Sequence, residues 1–257
     1  MGIELVQLKA LTDNYVYLIR EEKSGKVAVV DPTDADLVIE FLGACGWSLN
    51  FILNTHHHFD HVGGNLKLKK AFKDLKIVGP KADQSRIPGI DIALSQGDIL
   101  VIGQAKAEFI DTPGHTKGHG AFYFKDEKLL FCGDTLFSLG CGRLFEGSPE
   151  QMWESLRKLR ALPDDTRVCC AHEYTEANAR FAVTIDPGNL ALARYTHKVK
   201  TLRKKGQSTI PSLLSDEKKC NPFLRADDPV LQKQLAMKQS DAIEVFAEIR
   251  SRKDNFR

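Results

Sequence analysis

Short apolar runs separated by turn formers dominate the first two thirds of the chain. Leu5 to Leu8, Tyr15 to Ile19, Val27 to Asp31, Phe51 to Asn54, Ile99 to Ile102, Glu108 to Asp111, Ala121 to Phe124, Leu129 to Cys132 and Val168 to Cys170 all have the character of strands. Between them the pattern predicts helices over 34–45, 63–73 and 149–161. The last has a well-formed start, with Ser148 as N-cap, Pro149 at the first helical position and Glu150 close behind. Strands interspersed with helices predict an α/β layered domain over residues 1–172. After His172 the character changes. No strand pattern remains, and amphipathic stretches at 174–185, 189–205, 228–238 and 241–251, broken by Asp186-Pro187-Gly188 and Asn221-Pro222, predict an all-helical domain over 173–257. There is no internal repeat, low-complexity tract or long linker.

Composition narrows the picture. With 257 residues and 42% hydrophobic content the chain can bury a real core. Its longest apolar stretches, such as Val27 to Val30, are far short of the roughly 20 residues that span a bilayer. The N-terminus has no signal-peptide pattern, so a cytoplasmic protein is expected. Six cysteines lie at 45, 132, 141, 169, 170 and 220 without CxxC spacing, which reads as buried free thiols in a reducing compartment. The net charge of +2 is unevenly spread: residues 174–257 hold 16 Lys+Arg against 10 Asp+Glu, leaving the first 173 residues four negative. Such basic runs are ordinarily solvated helix surface, and here they also suit a small anionic substrate. Nucleic acid would require a denser basic stripe with exposed aromatics beside it, which the chain lacks.

The strongest chemical signal is Thr55-His56-His57-His58-Phe59-Asp60-His61, directly after the strand Phe51 to Asn54. In extended backbone His56, His58 and Asp60 share a side while His57 and Phe59 point away, and His61 follows at the mouth of a helix. Gly63-Gly64 then permits a tight turn. Packing four such titratable groups together without an ion would leave their desolvation uncompensated, whereas imidazole and carboxylate together suit zinc, iron or manganese. Three more strands run into loops with a ligand-type residue: His115 after Phe109 to Asp111, Asp134 after Leu130 to Cys132, and His172 after Val168 to Cys170. Seven ligands exceed one tetrahedral ion and fit two ions that share a bridging carboxylate.

These motifs resemble the metallo-β-lactamase superfamily. Thr112-Pro113-Gly114-His115-Thr116, the run GDTLFSLGCGRLFEG from Gly133 to Gly147, and His172-Glu173-Tyr174-Thr175 are similar to the glyoxalase II, or hydroxyacylglutathione hydrolase, family over nearly the whole chain. The resemblance implies an αββα sandwich with an all-helical C-terminal domain that binds glutathione. It assigns His56, His58 and His115 to one metal, Asp60, His61 and His172 to the second, and Asp134 to both, with zinc foremost and iron or manganese as alternatives. Asp60 and Asp134 would thus hold the water that acts as nucleophile. Arg143, Tyr174, Arg250 and Lys253 match the family's glutathione contacts. Phe145 departs from it, standing where animal and plant relatives have a tyrosine whose hydroxyl helps hold the substrate. His119 and Cys141 have no ligand role in the family pattern.

The implied reaction is hydrolysis of S-D-lactoylglutathione to D-lactate and glutathione, the second step of methylglyoxal detoxification, by a monomer that engages neither membrane nor nucleic acid. A mono-iron persulfide dioxygenase-like member of the same superfamily is the nearest rival, and a catalytically silent metal-binding module is a further one. A β-lactamase activity is disfavoured because Asp134 stands where many of those enzymes have cysteine.

Overall fold

The computed structural model describes residues 2–256. The chain forms two compact units, one built from the residues up to Asp111 with Lys117–Gly133, the other from Thr112–Thr116 with Asp134 onward.

In the first unit, β1 (Ile3–Ala10), β2 (Asn14–Glu21) and β3 (Val27–Val30) are antiparallel neighbours. Helix α1 (Ala35–Cys45) crosses over to β4 (Leu49–Leu53), which runs parallel to β3. The Asp34 side chain caps α1 by accepting from the Asp36 and Leu37 amides, and Gly46 ends it in the left-handed region at φ 66°. A four-residue helix, α2 (Phe59–Val62), and α3 (Asn65–Ala71) then lead to the parallel strands β5 (Lys76–Pro80) and β6 (Ile92–Leu94). Strands β7 (Ile99–Ile102), β8 (Ala105–Asp111), β9 (Gly120–Phe124) and β10 (Leu129–Gly133) form an antiparallel meander.

Side-chain alternation explains the layering. Val16, Leu18, Val27, Val29 and Ile52 share one core with Val38 and Leu42 of α1 and Leu68 of α3. Tyr17, pointing the opposite way on β2, meets Phe131 of β10 edge-on at 5.4 Å, so the first sheet is covered on both faces. Its central strands therefore read as continuous apolar runs.

In the second unit, β11 (Leu136–Phe137) and β12 (Gly140–Cys141) make a hairpin, followed by α4 (Pro149–Arg160), β13 (Arg167–Cys170), α5 (Thr175–Ile185) and α6 (Leu190–Lys204). Helix α4 begins as expected, with a full capping box between Ser148 and Gln151. A two-residue strand, β14 (Ser212–Leu213), pairs antiparallel with β13 and leads into α7 (Leu214–Cys220), α8 (Pro229–Gln234) and α9 (Ala242–Asp254). The region after His172 is thus helical, as its amphipathic pattern predicts, apart from β14. A two-residue strand has no periodicity to detect. Strands β5 and β6 also lie outside the predicted set. Gly79 and Pro80 make the first resemble a turn, and the second has only three residues. All six cysteines are free, and all but Cys45 are buried.

Leu18 is fully buried between β2 and the helical layer. Leu18→Ala should cost about 2–5 kcal/mol, read as a lower urea midpoint. A loss below about 1 kcal/mol would show that this layer collapses onto the cavity.

Candidate metal centre

Strand β4 delivers Asn54, Thr55 and His56 into the interior, all three fully buried. His58 is the last extended residue, at φ −60° and ψ 145°, and α2 starts at Phe59. Asp60 is therefore presented by the first helical turn. The strand alternation expected to align it with His56 and His58 is replaced by a strand-to-helix junction. The outcome still gathers the ligand-type groups. His56 Nε2 lies 3.0 Å from His58 Nδ1, His61 Nε2 lies 3.4 Å from an Asp60 oxygen, and the His56 and His61 rings are 4.1 Å apart.

Two residues that the sequence reading passed over fix this arrangement. Asp31, left-handed at φ 47° just past β3, accepts from the Thr55 amide at 2.8 Å and the Thr55 hydroxyl at 2.7 Å. It also lies 3.0 Å from His61 Nδ1. A carboxylate at Nδ1 places the proton there, leaving Nε2 as the nitrogen with a lone pair to offer a cation. Asn14 on β2 donates to an Asp60 carboxylate oxygen at 3.1 Å and to the Asp60 carbonyl at 3.3 Å. The only sequence signal for Asp31 is an acidic residue ending an apolar strand.

The glycine pair behind the motif has a steric basis. Gly64 donates to the Pro32 carbonyl at 2.7 Å, and a Cβ at Gly64 would lie 2.5 Å from that same oxygen. His57 turns away as its position predicts, with Nδ1 2.9 Å from the buried carboxylate of Asp83, which also pairs with Arg86. His119 stacks on His56 at 4.7 Å.

In the second unit the buried carboxylate of Asp134 faces two imidazoles at once. One oxygen lies 3.4 Å from His115 Nε2 and the other 3.3 Å from His172 Nε2. His115 Nδ1 is 2.8 Å from the Arg143 carbonyl, which fixes Nδ1–H as a donor and turns Nε2 toward Asp134. Gly142 is required here, because a Cβ would fall 1.9 Å from the Asp134 carbonyl oxygen. His172 is held flat against Tyr174, centroids 4.8 Å apart and planes within 2°. Glu173 between them accepts from the Thr209 amide at 2.8 Å and its hydroxyl at 2.6 Å.

Imidazoles with one nitrogen fixed by a partner and carboxylates presenting separate oxygens form a donor set suited to divalent cations. Each unit carries part of such a set.

The residues expected to touch glutathione differ in environment. Arg143 is exposed, its guanidinium 4.7 Å over the ring of Phe145, which in turn lies 5.1 Å from His115. Tyr174 is exposed. Arg250 is buried, donating to the Cys141 carbonyl at 3.1 Å and pairing with Asp254 at 2.7 Å. Lys253 is half-buried over the rings of Phe181 and Phe256. Burial first, then the positive charges of Arg250 and Arg180, push its ammonium down to about 8.

Asp31→Ala removes the acceptor for Thr55 and His61 together. Metal content after dialysis should fall, with affinity weaker by about 10–100-fold. Affinity equal to that of the unaltered protein would show that Asp31 does not orient His61.

The model described as Metallo-beta-lactamase superfamily matches residues 11–172, and that described as Hydroxyacylglutathione hydrolase C-terminus matches residues 173–256. A hydroxyacylglutathione hydrolase of Methylococcus capsulatus is 57% identical over 255 residues, covering 99% of each chain. Among solved structures, ETHE1 from Myxococcus xanthus superposes with a TM-score of 0.68 at 22% identity, over 98% of this chain and 90% of that one. TTHA1623 in a di-iron-bound form gives 0.56 at 30% identity, over 66% of this chain and 91% of that one. The fold is the expected metallo-β-lactamase fold with a helical C-terminal region. By family models and by relatives matched along its full length, the chain belongs to the hydroxyacylglutathione hydrolase family of the metallo-β-lactamase superfamily.

Proposed function

We propose that the protein is a binuclear metal-dependent thioester hydrolase that converts S-D-lactoylglutathione and water to D-lactate and glutathione. In this reading His56, His58 and His115 would hold one ion, Asp60, His61 and His172 the other, and Asp134 would serve both. The observation that carries it is the Asp134 carboxylate, which offers one oxygen toward each of two imidazoles. The di-iron form of TTHA1623 supports a pair of ions and keeps iron and manganese beside zinc as occupants. Six free cysteines suit the reducing cytoplasm.

Two such ions supply an acidified water and a polarised acyl carbonyl at neutral pH. The chain's own residues determine where that chemistry happens. Asp31 and the Arg143 carbonyl hold the protons of His61 and His115 on Nδ1, so that the Nε2 lone pairs that would ligate keep one orientation. Asn14 limits rotation of Asp60. Water adds to the acyl carbon and the C–S bond breaks, giving a carboxylate and a thiolate. Because a thiol of ordinary pKa near 8.5 leaves readily, no strong general acid is required.

Glutathione carries two carboxylates, which Arg143 and Lys253 match in charge. Phe145 supports the Arg143 guanidinium through its ring face, and this stands in for the tyrosine hydroxyl found in animal and plant relatives. Arg250 acts from beneath, by fixing the Cys141 carbonyl two residues before Arg143. The basic surplus of residues 173–257 favours capture of an anionic substrate.

Metal-loaded protein should hydrolyse glutathione thioesters, lose activity to a chelator and regain it with zinc, iron or manganese. Asp134→Ala should lower kcat by on the order of 100-fold or more. Thioester absorbance that stays constant with fully loaded protein would exclude the hydrolase, and one iron per chain with oxygen uptake would identify the dioxygenase. Lys253 gives a separate test by pH. Its charge is present below about 8 and lost above it, so KM should rise as pH passes through 8. Lys253→Met should raise KM by about 5-fold at neutral pH and flatten that rise. A KM profile identical in the two proteins would remove Lys253 from the substrate site.

A further inference from the structure

The hairpin β11–β12 pairs Leu136 with Cys141 and Phe137 with Gly140, leaving Ser138 and Leu139 as a two-residue loop. Leu139 is left-handed at φ 58°. Two-residue loops ordinarily place glycine or asparagine in that conformation, and a bulky residue there is strained. The Leu139 side chain is fully buried, in a cluster with Ala179, Ala182, Leu192 and Tyr195 of α5 and α6. A strained main chain and a side chain locked in a core define one position for this loop.

Side chains of α5, of α7 and of the residue that ends α7 bind four main-chain groups of the hairpin. Glu217 of α7, itself fully buried, accepts from the Leu139 amide at 2.8 Å. Asn221 donates to the carbonyls of Phe137 at 3.1 Å and Gly140 at 3.0 Å, and to Glu217 at 3.2 Å. Asn178 of α5 donates to the Ser138 carbonyl at 3.1 Å, and the Ser138 hydroxyl meets that of Tyr195 at 3.1 Å. The hairpin in turn touches the site. Phe137 presents an edge to Tyr174 at 5.4 Å and to His172 at 6.0 Å. Thr135, which follows Asp134, accepts from the Gly142 amide at 3.2 Å.

We propose that Glu217, Asn221 and Asn178 are positioning residues for the reaction: they hold the strained hairpin so that Asp134 and His172 keep their mutual geometry and Arg143 its place. This rests on Asp134 and His172 being metal ligands, as the proposed function has them. A hairpin released from the clamp relaxes at Leu139, shifts Phe137 against His172 and loosens Asp134. The effect falls on metal retention and turnover, not on folding alone. Burial pushes the Glu217 carboxyl above its ordinary pKa. A neutral amide at this position also keeps an acceptor for the Leu139 amide, so Glu217→Gln is the conservative variant.

The test uses full-length, metal-loaded protein and three readouts: the half-time of metal loss to a chelator, kcat and KM on a glutathione thioester, and melting temperature. Asn221→Ala and Glu217→Leu should lose metal about 10-fold faster and show kcat lower by about 10-fold, while Glu217→Gln stays within about 3-fold of the unaltered protein. Leu231→Ala, at a fully buried position of α8 that makes none of these hydrogen bonds to the hairpin, should lower the melting temperature without changing metal loss or kcat. The proposal is overturned if Asn221→Ala and Glu217→Leu behave like Leu231→Ala. Should both fail to fold, Asn178→Ala, which removes a single bond, decides on the same readouts. If the unaltered protein hydrolyses no glutathione thioester, the functional reading fails, and the chelator half-times still decide the clamp.

Discussion

A buried carboxylate between two imidazoles is the constraint on which the second unit's chemistry rests. Asp134 faces His115 with one oxygen at 3.4 Å and His172 with the other at 3.3 Å, an arrangement that requires its main chain to be held in one place. Desolvation of three such groups is costly without a compensating cation, because a buried charge has to be paired or coordinated. The first unit answers the same problem with the same device. His61 is oriented by Asp31 and Asp60 by Asn14, so that each ligand is itself a hydrogen-bonded group with one permitted orientation. Orientation by neighbours, more than the identity of the ligands, turns a group of histidines into a site.

The candidate ligands were legible because four of them fall within six positions, and no packing role explains such crowding. The others stood out because each ends an apolar strand, a pattern that survives in one dimension. What orients them was not legible. Asp31 is a single acidic residue after Val27–Val30, and only the fold brings it to Thr55 and His61, 24 and 30 residues away. Asn14 reaches Asp60 across 46 residues. The three-residue spacing of Arg250 and Lys253 shows that they share a helix side, and says nothing of depth. One proved buried and the other half-buried.

Helix α7 shows the same limit from another direction. Its sequence, LSDEKKC, has polar residues at five of seven positions and no apolar period, so it reads as loop. Its acidic Glu217 is nevertheless among the most buried polar groups of the unit. Sequence patterns locate elements by their apolar face, and an element whose inward residue is a carboxylate is invisible to them. Buried acids of this kind are found where a main-chain donor needs an acceptor, and the Leu139 amide is that donor.

Each side of that pairing sets one cost against another. A glycine at 139 would remove the left-handed strain but give up a fully buried leucine side chain, and an apolar residue at 217 would avoid desolvating a carboxyl but leave the Leu139 amide and Asn221 without their acceptor. The chain has the costly choice at both positions, joined by one hydrogen bond of 2.8 Å. Strain of about 1–3 kcal/mol persists only where the surroundings over-determine it. Here the surroundings are a carboxyl, two amides and a leucine core gripping one two-residue loop. A loop fixed to that degree by helices α5 and α7 makes the placement of Asp134 a property of the helical region as much as of its own strand. The region that carries the basic surplus is thereby also the one that holds the loop beside Asp134.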